Sequence, residues 1–433
     1  MPMPDAHHQV RLSNGLLIQL KEIHTAPIIS HWVWYRVGSR YEQPGKTGIS
    51  HWVEHMQFKG TPRFPSGVLD KAISREGGYW NAFTYLDWTT YFETMPAHAI
   101  DLALESEADR MFNSIYTADG VESERTVVIS EREGNENEPL FRLGEAMQGA
   151  AFEAHPYRNE IIGSMDDLHA ITRDDLYQHY RAHYAPNNAV VAIAGDFETE
   201  TMLHRLERIY GGLAPAQVPP PPQLVEPEPT AEKRVEVSGP GETTFLQLAY
   251  RAPAAREADF FAFTVLDSLL TGPTSLNMFG GGGISNKTSR LYRALVEREL
   301  AVGVGGSLQA TYDPFTYDMT ITVHPDQTPE VVLQAVDAEI RRLQQAPVKP
   351  DEIARAIKQA RALFAYGSEN ITNQAFWLGY AEMFDSYHWF LNYMERLAEV
   401  TPEDVLRVAQ TCLQPTRRVV GIYRPTGAEE PNP

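Results

Sequence analysis

The residues of this chain best suited to chemistry lie in the stretch His51-Trp52-Val53-Glu54-His55. Residues four apart in an α-helix lie on the same face, so His51 and His55 can offer two imidazole nitrogens to one metal ion. Glu54 lies beside them and can accept a proton from water at that metal. The order reverses the His-Glu-x-x-His zinc motif, but five residues also match by chance, so support must come from the rest of the chain.

A catalytic zinc ion usually has three protein ligands, and the helix predicted after Thr117 offers candidates for the third. Glu124 and Glu131 are seven residues apart, close to two helical turns, and therefore share a face. Val127 and Val128 lie on that side, so a carboxylate there is half buried and needs a partner. From the spacing alone, a surface helix with ordinary ion pairs is an equal alternative.

Composition limits the classes of function. The chain has 433 residues, 43% of them hydrophobic, which is enough for more than one domain with its own core. The formal net charge of -20 argues against nucleic-acid binding, and it favours either basic peptides as partners or simply solubility. The single cysteine, Cys412, excludes an internal disulfide framework and a cysteine-rich zinc site.

The sequence contains no segment that is typical of export or of a membrane anchor. Residues 1–8 lack a basic segment followed by an apolar run, so we predict no signal peptide. There is also no run of about 18 apolar residues that could span a membrane. Together with the single cysteine, these features predict a cytoplasmic protein with no membrane partner.

The predicted elements alternate between strands and helices. An Asn14-Gly15 turn predicts a hairpin between residues 10–12 and 16–20. Further along, the pattern predicts a strand at 28–37, helices from about residue 48 and at 64–76, two strands within 79–95, helices at 97–112, 117–134 and 174–183, and a strand at 189–193.

A proline-rich stretch at 213–231, with four consecutive prolines, predicts a linker. On both sides a helix that begins after a threonine leads to a proline turn and an apolar strand, with Thr172 and Pro186 in the first half and Thr401 and Pro415 in the second. This repeat predicts an α+β protein with two homologous domains.

We expect each domain to have an antiparallel-rich sheet packed with helices, the two together forming a half-shell. The predicted boundaries are a zinc-bearing domain at 1–212, a second domain at 232–427 and a flexible tail at 428–433. Aligning Gly60 with Gly272 gives the second domain three residues that cannot form the zinc motif: Phe263, Leu266 and Asp267. The repeat therefore indicates that the histidine pair is not needed for folding.

Several motifs together resemble the pitrilysin family (M16, the inverzincins) of zinc peptidases, in particular mitochondrial processing peptidase and its bacterial relatives. They are HWVEH followed by MQFKGT, then Asn81-Ala82-Phe83-Thr84, then Glu124-Arg125 with Glu131. The resemblance covers essentially the whole chain. It implies one Zn²⁺ per chain, bound by His51, His55 and Glu131 rather than Glu133, with Glu54 as general base and Glu124 as a second catalytic carboxylate that orients the ligands.

The resemblance also implies a substrate platform at Asn81, Ala82, Phe83 and Thr84, an edge strand that pairs with an extended peptide. Asn81 could in addition hold a substrate carbonyl. The sequence thus predicts a zinc-dependent endopeptidase that acts on peptides or short unfolded segments. The alternatives are an idle assembly subunit of a processing-peptidase-like complex, another zinc hydrolase on the same scaffold, or a different divalent metal.

One departure from the family concerns a second chain. Many relatives have an Arg and a Tyr seven residues apart in the second half, where this chain has Val296 and Val302. In two-subunit members a metal-free partner can carry that pair, so we predict a heterodimer with a second M16-like subunit. The alternatives are a homodimer and a self-sufficient monomer. The loop Gly280–Gly283 resembles the glycine-rich loop of the non-catalytic processing-peptidase subunit.

Overall fold

The computed structural model describes residues 7–277 and 283–427. Within these ranges, eleven strands form two sheets. The strands are β1 (His7–Arg11), β2 (Leu17–Glu22), β3 (Ile28–Tyr35), β4 (Tyr79–Thr84), β5 (Thr89–Pro96), β6 (Ala189–Gly195), β7 (Lys233–Gly239), β8 (Phe245–Arg251), β9 (Ala301–Leu308), β10 (Thr316–Val323) and β11 (Arg418–Pro425).

Fourteen α-helices lie within the same described residues. They are α1 (Ile49–Met56), α2 (Val68–Arg75), α3 (Ile100–Asn113), α4 (Ala118–Asn135), α5 (Pro139–Ala151), α6 (Met165–Ala170), α7 (Arg173–His183), α8 (Thr199–Tyr210), α9 (Asp259–Leu270), α10 (Pro329–Gln345), α11 (Pro350–Tyr366), α12 (Ile371–Phe384), α13 (Tyr387–Ala398) and α14 (Pro402–Cys412). None of these helices combines the length and the apolar character needed to cross a membrane.

The two sheets have the same strand order, apart from the extra strand β1. The first runs β1-β2-β6-β3-β5-β4 and the second β7-β11-β8-β10-β9. In each sheet one pair is parallel, β2 with β6 and β7 with β11, and the remaining pairs are antiparallel. Thr172 and Thr401 form the same capping box at the starts of α7 and α14. These features confirm the predicted α+β class with two similar units.

Most predicted elements of the first half are present, with two corrections. The helix predicted at 64–76 begins only at Val68, because Gly67 has a left-handed φ of 72° and Gly60 forms a bridge with Pro65. The helices α5, α6 and α8 are absent from our predictions, although the proline at the first position of α5 is a helix-start signal.

Each compact unit is discontinuous in sequence. The first comprises Met1–Arg132, Asn159–Gln223 and Glu369–Tyr387, and the second comprises Glu133–Arg158, Leu224–Ser368 and His388–Pro433. Helix α12 of the second half therefore belongs to the first unit, and α5 of the first half belongs to the second. The units differ from the predicted division in these exchanged segments, and the domain boundaries themselves stay a prediction. The predicted tail at 428–433 lies outside the described residues.

Helix α5 supplies core side chains to the second unit. Leu143 and Met147, four residues apart on one helix face, pack in a cluster with Val419 and Tyr423 of β11. Gly421 leaves room for this contact, since a Cβ built on it would lie 2.4 Å from the sulfur of Met147. The exchanged helix is thus a constituent of the core rather than a surface attachment.

Helix α12 fills the equivalent role on the first sheet. Gly379 lies against the fully buried Trp34 of β3, and a Cβ built on Gly379 would lie 2.1 Å from Trp34 Nε1. Phe376, one turn earlier, meets the same indole edge-on with ring centroids 5.4 Å apart. Close contact between helix and sheet therefore depends on a glycine at 379.

We expect Gly379→Ala to lower the free energy of unfolding by about 1–3 kcal/mol, because the added methyl group overpacks a filled core. Gly144→Ala in α5 is the matched control, since a Cβ there meets no atom within 4 Å. That change should be stabilising by about 0.5–1 kcal/mol through the lower backbone entropy of alanine in the unfolded chain. Denaturant unfolding of both variants measures the difference, and equal effects of the same sign would contradict the packing argument.

Candidate metal centre

The helix that carries the histidine pair has a defined start. Gly48 precedes α1 with a left-handed φ of 86°, and a Cβ on it would lie 2.3 Å from the carbonyl oxygen of Ile162. The buried Glu42 carboxylate accepts hydrogen bonds from the backbone N–H of Gly48 at 2.8 Å and of Ser50 at 2.9 Å. These bonds satisfy donors that a helix start leaves free. Burial raises the pKa of Glu42 to about 7.

Two residues of the sequence motifs hold α1 and α4 together. The guanidinium of Arg125 lies 4.7 Å from the ring centroid of Trp52 and donates to the carbonyl of Ile171 at 2.8 Å. Arg132, two turns along α4, donates to the carbonyl of Gly163 at 2.9 Å. Trp52 and Arg125 therefore fix the position of α1 relative to α4, the two helices that carry the predicted ligands.

The structure brings the three predicted metal ligands together. One ligand atom each from His51, His55 and Glu131 lie within 4.8 Å of one another. The distances are 3.8 Å between His51 Nε2 and Glu131 Oε1, and 3.4 Å between His55 Nε2 and Glu131 Oε2. Donors around a tetrahedral zinc ion with bonds of about 2.0–2.1 Å lie roughly 3.3 Å apart. Nitrogen and carboxylate donors at this spacing fit a zinc ion.

Both ring nitrogens of His55 face carboxylates. Nδ1 lies 2.9 Å from Glu124 Oε1, and Nε2 faces Glu131. Burial lowers the pKa of His55, but the hydrogen bonds to Glu124 and Glu131 outweigh it and raise the pKa to about 9. Glu124 is 5% exposed, and its other oxygen forms an ion pair with Lys59. Glu124 thus lies behind the predicted ligand His55 and orients its ring.

His51 has a different environment. Burial, together with the neighbouring His55, lowers the pKa of His51 to about 4, so the imidazole is neutral and suited to a metal ion. Its Nδ1 is buried and has no hydrogen-bond partner among the described residues. Of the two imidazoles, only that of His55 is therefore oriented from behind by a hydrogen bond.

Glu54 lies on the same helix turn as the ligands and is 8% exposed. Its Oε2 accepts a hydrogen bond of 2.7 Å from the hydroxyl of Thr84, at the end of β4. Burial raises the pKa of Glu54 to about 7, although the hydrogen bond from Thr84 acts in the opposite direction and lowers it. The arrangement fixes a carboxylate beside the three predicted ligands, and Glu54 is not one of that group.

The predicted substrate platform lies on β4, the outermost strand of the first sheet. Alternation along the strand puts Ala82 on the face of Thr84, and Asn81 and Phe83 on the opposite face. The side-chain oxygen of Asn81 accepts from the backbone N–H of Ala82 at 2.9 Å. The strand edge next to Thr84 is thus near Glu54, whereas the Asn81 side chain points to the other side of the sheet.

The second unit has the corresponding helix, α9, but with different side chains at the three positions of the zinc motif. Phe263, Leu266 and Asp267 are all buried there. Asp267 Oδ1 accepts from Thr271 Oγ1 at 2.5 Å and from Tyr317 OH at 2.7 Å, and burial raises its pKa. Within the described residues no group of three metal-binding side chains includes this helix.

A second group with metal-binding side chains lies at the end of β2: Glu22, His24 and Glu198. Both nitrogens of His24 already meet carboxylates, Nε2 with Glu22 at 2.7 Å and Nδ1 with Asp196 at 2.6 Å. The hydrogen bonds to Asp196 and Glu22 raise the pKa of this exposed histidine to about 8. An imidazolium that bridges two carboxylates accounts for the group.

The positions that depart from the family pattern lie in the second unit. Val296 ends a short π-helical turn, and Val302 on the edge strand β9 is 60% exposed. Of the loop Gly280–Gly283, residues 280–282 lie outside the described residues.

Sequence reasoning missed three contacts of the centre. They are the Glu42 cap of α1, the hydroxyl of Thr84 on Glu54, and Lys59 on Glu124. Only Lys59 had a signal in the sequence, because it follows His55 by four residues as His55 follows His51.

Two histidines of α7 lie behind α1, His179 partly buried and His183 buried. His179 Nε2 is 3.3 Å from the hydroxyl of Ser50, and His183 is 6% exposed. Burial lowers the pKa of His183 to about 4, below the value of 6.5 in an unfolded chain. His183 therefore binds a proton less readily in the folded state than in the unfolded state. As a result, the free energy of unfolding decreases as the pH falls from 6.5 towards 4.

His183→Phe should remove this dependence. Between pH 7.5 and pH 5, the wild type should lose about 2 kcal/mol of unfolding free energy relative to the variant. His204→Phe is the control, since the side chain of His204 is 79% exposed. Denaturant unfolding at the two pH values provides the measurement, and parallel losses in wild type and His183→Phe would refute the assignment.

Known proteins resemble the chain along its whole length. A family model described as insulinase (peptidase family M16) matches residues 17–165, and one described as peptidase M16 inactive domain matches residues 170–360. The zinc protease PqqE of Helicobacter pylori is 26% identical over 425 residues, which is 97% of this chain and 93% of that protein. The probable mitochondrial-processing peptidase subunit beta of Arabidopsis thaliana is 28% identical over 284 residues, 65% of this chain and 53% of that protein.

Solved structures show the same fold. The crystal structure of a protease from Helicobacter pylori has a TM-score of 0.89 at 26% identity, covering 98% of this chain and 100% of that one. A putative M16-like peptidase from Alicyclobacillus acidocaldarius has a TM-score of 0.85 at 21% identity, with the same coverage, and supports the fold alone. The helices that carry the predicted ligands fall in the half that matches the insulinase model, and the half without predicted ligands matches the inactive-domain model. The chain belongs to the M16 family of peptidases.

Proposed function

We propose that this chain is a zinc-dependent endopeptidase that hydrolyses peptides or short unfolded segments. His51, His55 and Glu131 hold one zinc ion, and Glu54 acts as the general base. The observation that carries the proposal is the convergence of three donor atoms within 4.8 Å, from two helices, with a buried carboxylate on the adjoining position. The relatives named as zinc proteases support the choice of metal.

The roles of the chain's own residues follow from their positions. A bound zinc ion supplies a Lewis acid that activates water and polarises a peptide carbonyl. Glu54 takes the proton from the attacking water and passes it to the leaving amine. The bond from Thr84 holds the Glu54 carboxylate in one orientation for both transfers, and Glu124 keeps His55 in the tautomer with hydrogen on Nδ1.

The substrate lies extended along β4. Because this strand is the outermost of its sheet, one row of its backbone N–H and C=O groups is free to pair with a peptide. Alternate residues of an antiparallel strand turn their backbone groups away from the neighbouring strand. The bond from the Tyr85 N–H to the Trp88 carbonyl sets this alternation, so Ala82 and Thr84 offer the free groups, and Asn81 and Phe83 lie between them with their backbone groups towards β5. Recognition through the backbone selects an extended conformation rather than particular side chains.

A second M16-like chain completes the enzyme in this proposal. Val296 and Val302 cannot make the polar contacts that the Arg and Tyr of many relatives provide. The relative named as subunit beta of mitochondrial-processing peptidase supports a paired state. We propose a heterodimer first and a homodimer second. The cytoplasmic location stays a prediction.

The test is metal analysis combined with cleavage of a basic peptide by the chain purified alone and by the chain in its native complex. We expect one zinc ion per chain and cleavage that a chelator abolishes. Zinc without cleavage in either sample would favour the idle assembly subunit, and cleavage only of non-peptide substrates would favour another hydrolase. Full activity of the chain alone would refute the need for a partner.

A further inference from the structure

We propose that Lys59 is a positioning residue for the metal centre: through Glu124 it holds His55 in the orientation that presents Nε2 to the ion. The inference rests on the proposed zinc site and adds a residue to it. Lys59 is not one of the three donors, and its contact is with Glu124.

The spacing of the contacts carries the first step. His51, His55 and Lys59 follow one another at intervals of four, and a 3-10 turn at Gln57–Lys59 directly continues α1. Facing them on α4 are Glu131 and Glu124. Glu131 lies against both histidines, and Glu124 lies against His55 and Lys59. A row of basic side chains therefore faces a row of carboxylates.

The environment of Glu124 carries the second step. Its carboxylate is 5% exposed, and Oε1 accepts from His55 Nδ1 at 2.9 Å. Oε2 is buried and accepts no hydrogen bond of regular geometry from the described residues, so the ion pair with the ammonium group of Lys59 is what stabilises it. Without Lys59, a buried carboxylate oxygen would have no partner, which is costly enough to turn the group towards water and away from His55.

The environment of His51 explains why this contact matters for the metal. The Nδ1 atom of His51 has no hydrogen-bond partner in the described part of the chain, so nothing fixes its ring from behind. Of the two imidazoles, only that of His55 is held from behind, through its contact with Glu124. Apart from His55 itself, Lys59 is the only basic side chain that the structure shows on that carboxylate within residues 7–277 and 283–427.

The experiment measures the zinc dissociation constant by chelator competition for Lys59→Met, Lys59→Arg, Glu124→Gln and the double variant Lys59→Met/Glu124→Gln. Lys233→Met is the matched control, because that lysine is also half exposed and pairs with Glu153 in the other unit. The melting temperature of each metal-free variant is recorded beside the affinity.

We expect Lys59→Met to weaken zinc binding about 10- to 100-fold, the usual loss for a partner of a ligating histidine. Lys59→Arg should restore most of the affinity, and Lys233→Met should bind like the wild type. If Lys59 acts through Glu124, the double variant binds no more weakly than Glu124→Gln.

Wild-type affinity of Lys59→Met, or additive losses in the double variant, would overturn the inference and leave the proposed function intact. The inference would also be wrong if Lys59→Met and Lys59→Arg lost the same zinc affinity and both melted at a lower temperature without metal. That pattern would report a general loss of folding. A wild-type chain that binds no zinc would overturn the proposed function and the inference together.

Discussion

Glu54→Gln should retain zinc and lose turnover by a factor of about 10²–10⁴, the usual contribution of a positioned general base. The amide has the shape of the carboxylate and can still accept the hydrogen bond from Thr84, so the local structure is preserved. It cannot take a proton from water. Because Glu54 is not one of the three donors, the metal content should stay at the wild-type level.

Two variants at Thr84 separate the base from its orientation. Thr84→Val removes the donor to Glu54 and should lower turnover about tenfold, the value of a hydrogen bond to a charged group. Thr84→Ser keeps the donor and should stay near the wild type. Turnover and zinc content are measured on the same samples. Glu54→Gln at the wild-type rate would show that another group accepts the proton.

Parts of the fold could be predicted from the sequence where a turn or cap residue lies next to the strand or helix that it determines. The Asn14-Gly15 turn set the first hairpin, and the threonine caps at 172 and 401 revealed the repeat. The second helix was predicted too long because Pro65 and Gly67 form a turn before it.

The exchange of helices could not be predicted, because a periodic pattern shows that a helix face is buried and not what covers it. The spacing of Leu143 and Met147 requires an apolar neighbour, and that neighbour proves to be β11, far away in sequence. The need for a glycine at position 379 likewise becomes evident only in the structure, where Trp34 lies directly against it.

The candidate centre was predicted to the extent that spacing determines it. His51 with His55, and Glu124 with Glu131, each share a helix face, and the family resemblance chose Glu131 as ligand. Contacts between side chains of different elements, such as Lys59 with Glu124, depend on packing that no spacing describes. A lysine four residues after His55 is usually solvated, so its sequence signal was weak.

Glu131→Ala should weaken zinc binding more than about 100-fold, beyond the loss expected for a residue that only orients a ligand. The change removes one of three donors and leaves a two-histidine site. The Glu131 side chain is 42% exposed, so its removal opens no buried cavity and the metal-free protein should unfold as the wild type does. Chelator competition gives the affinity, and denaturant unfolding of the metal-free chain gives the control on folding.

Glu133→Ala is the matched variant, because it changes the same charge on the same helix two residues later, on another face. It should bind zinc like the wild type. If Glu133→Ala lost zinc and Glu131→Ala kept it, the ligand assignment would be wrong. Glu124→Gln should fall between the two, since Glu124 meets His55 from behind and contributes no donor. An affinity order in which Glu124→Gln is weaker than Glu131→Ala would make Glu124 the third ligand instead, and the roles of the two α4 carboxylates would have to be exchanged.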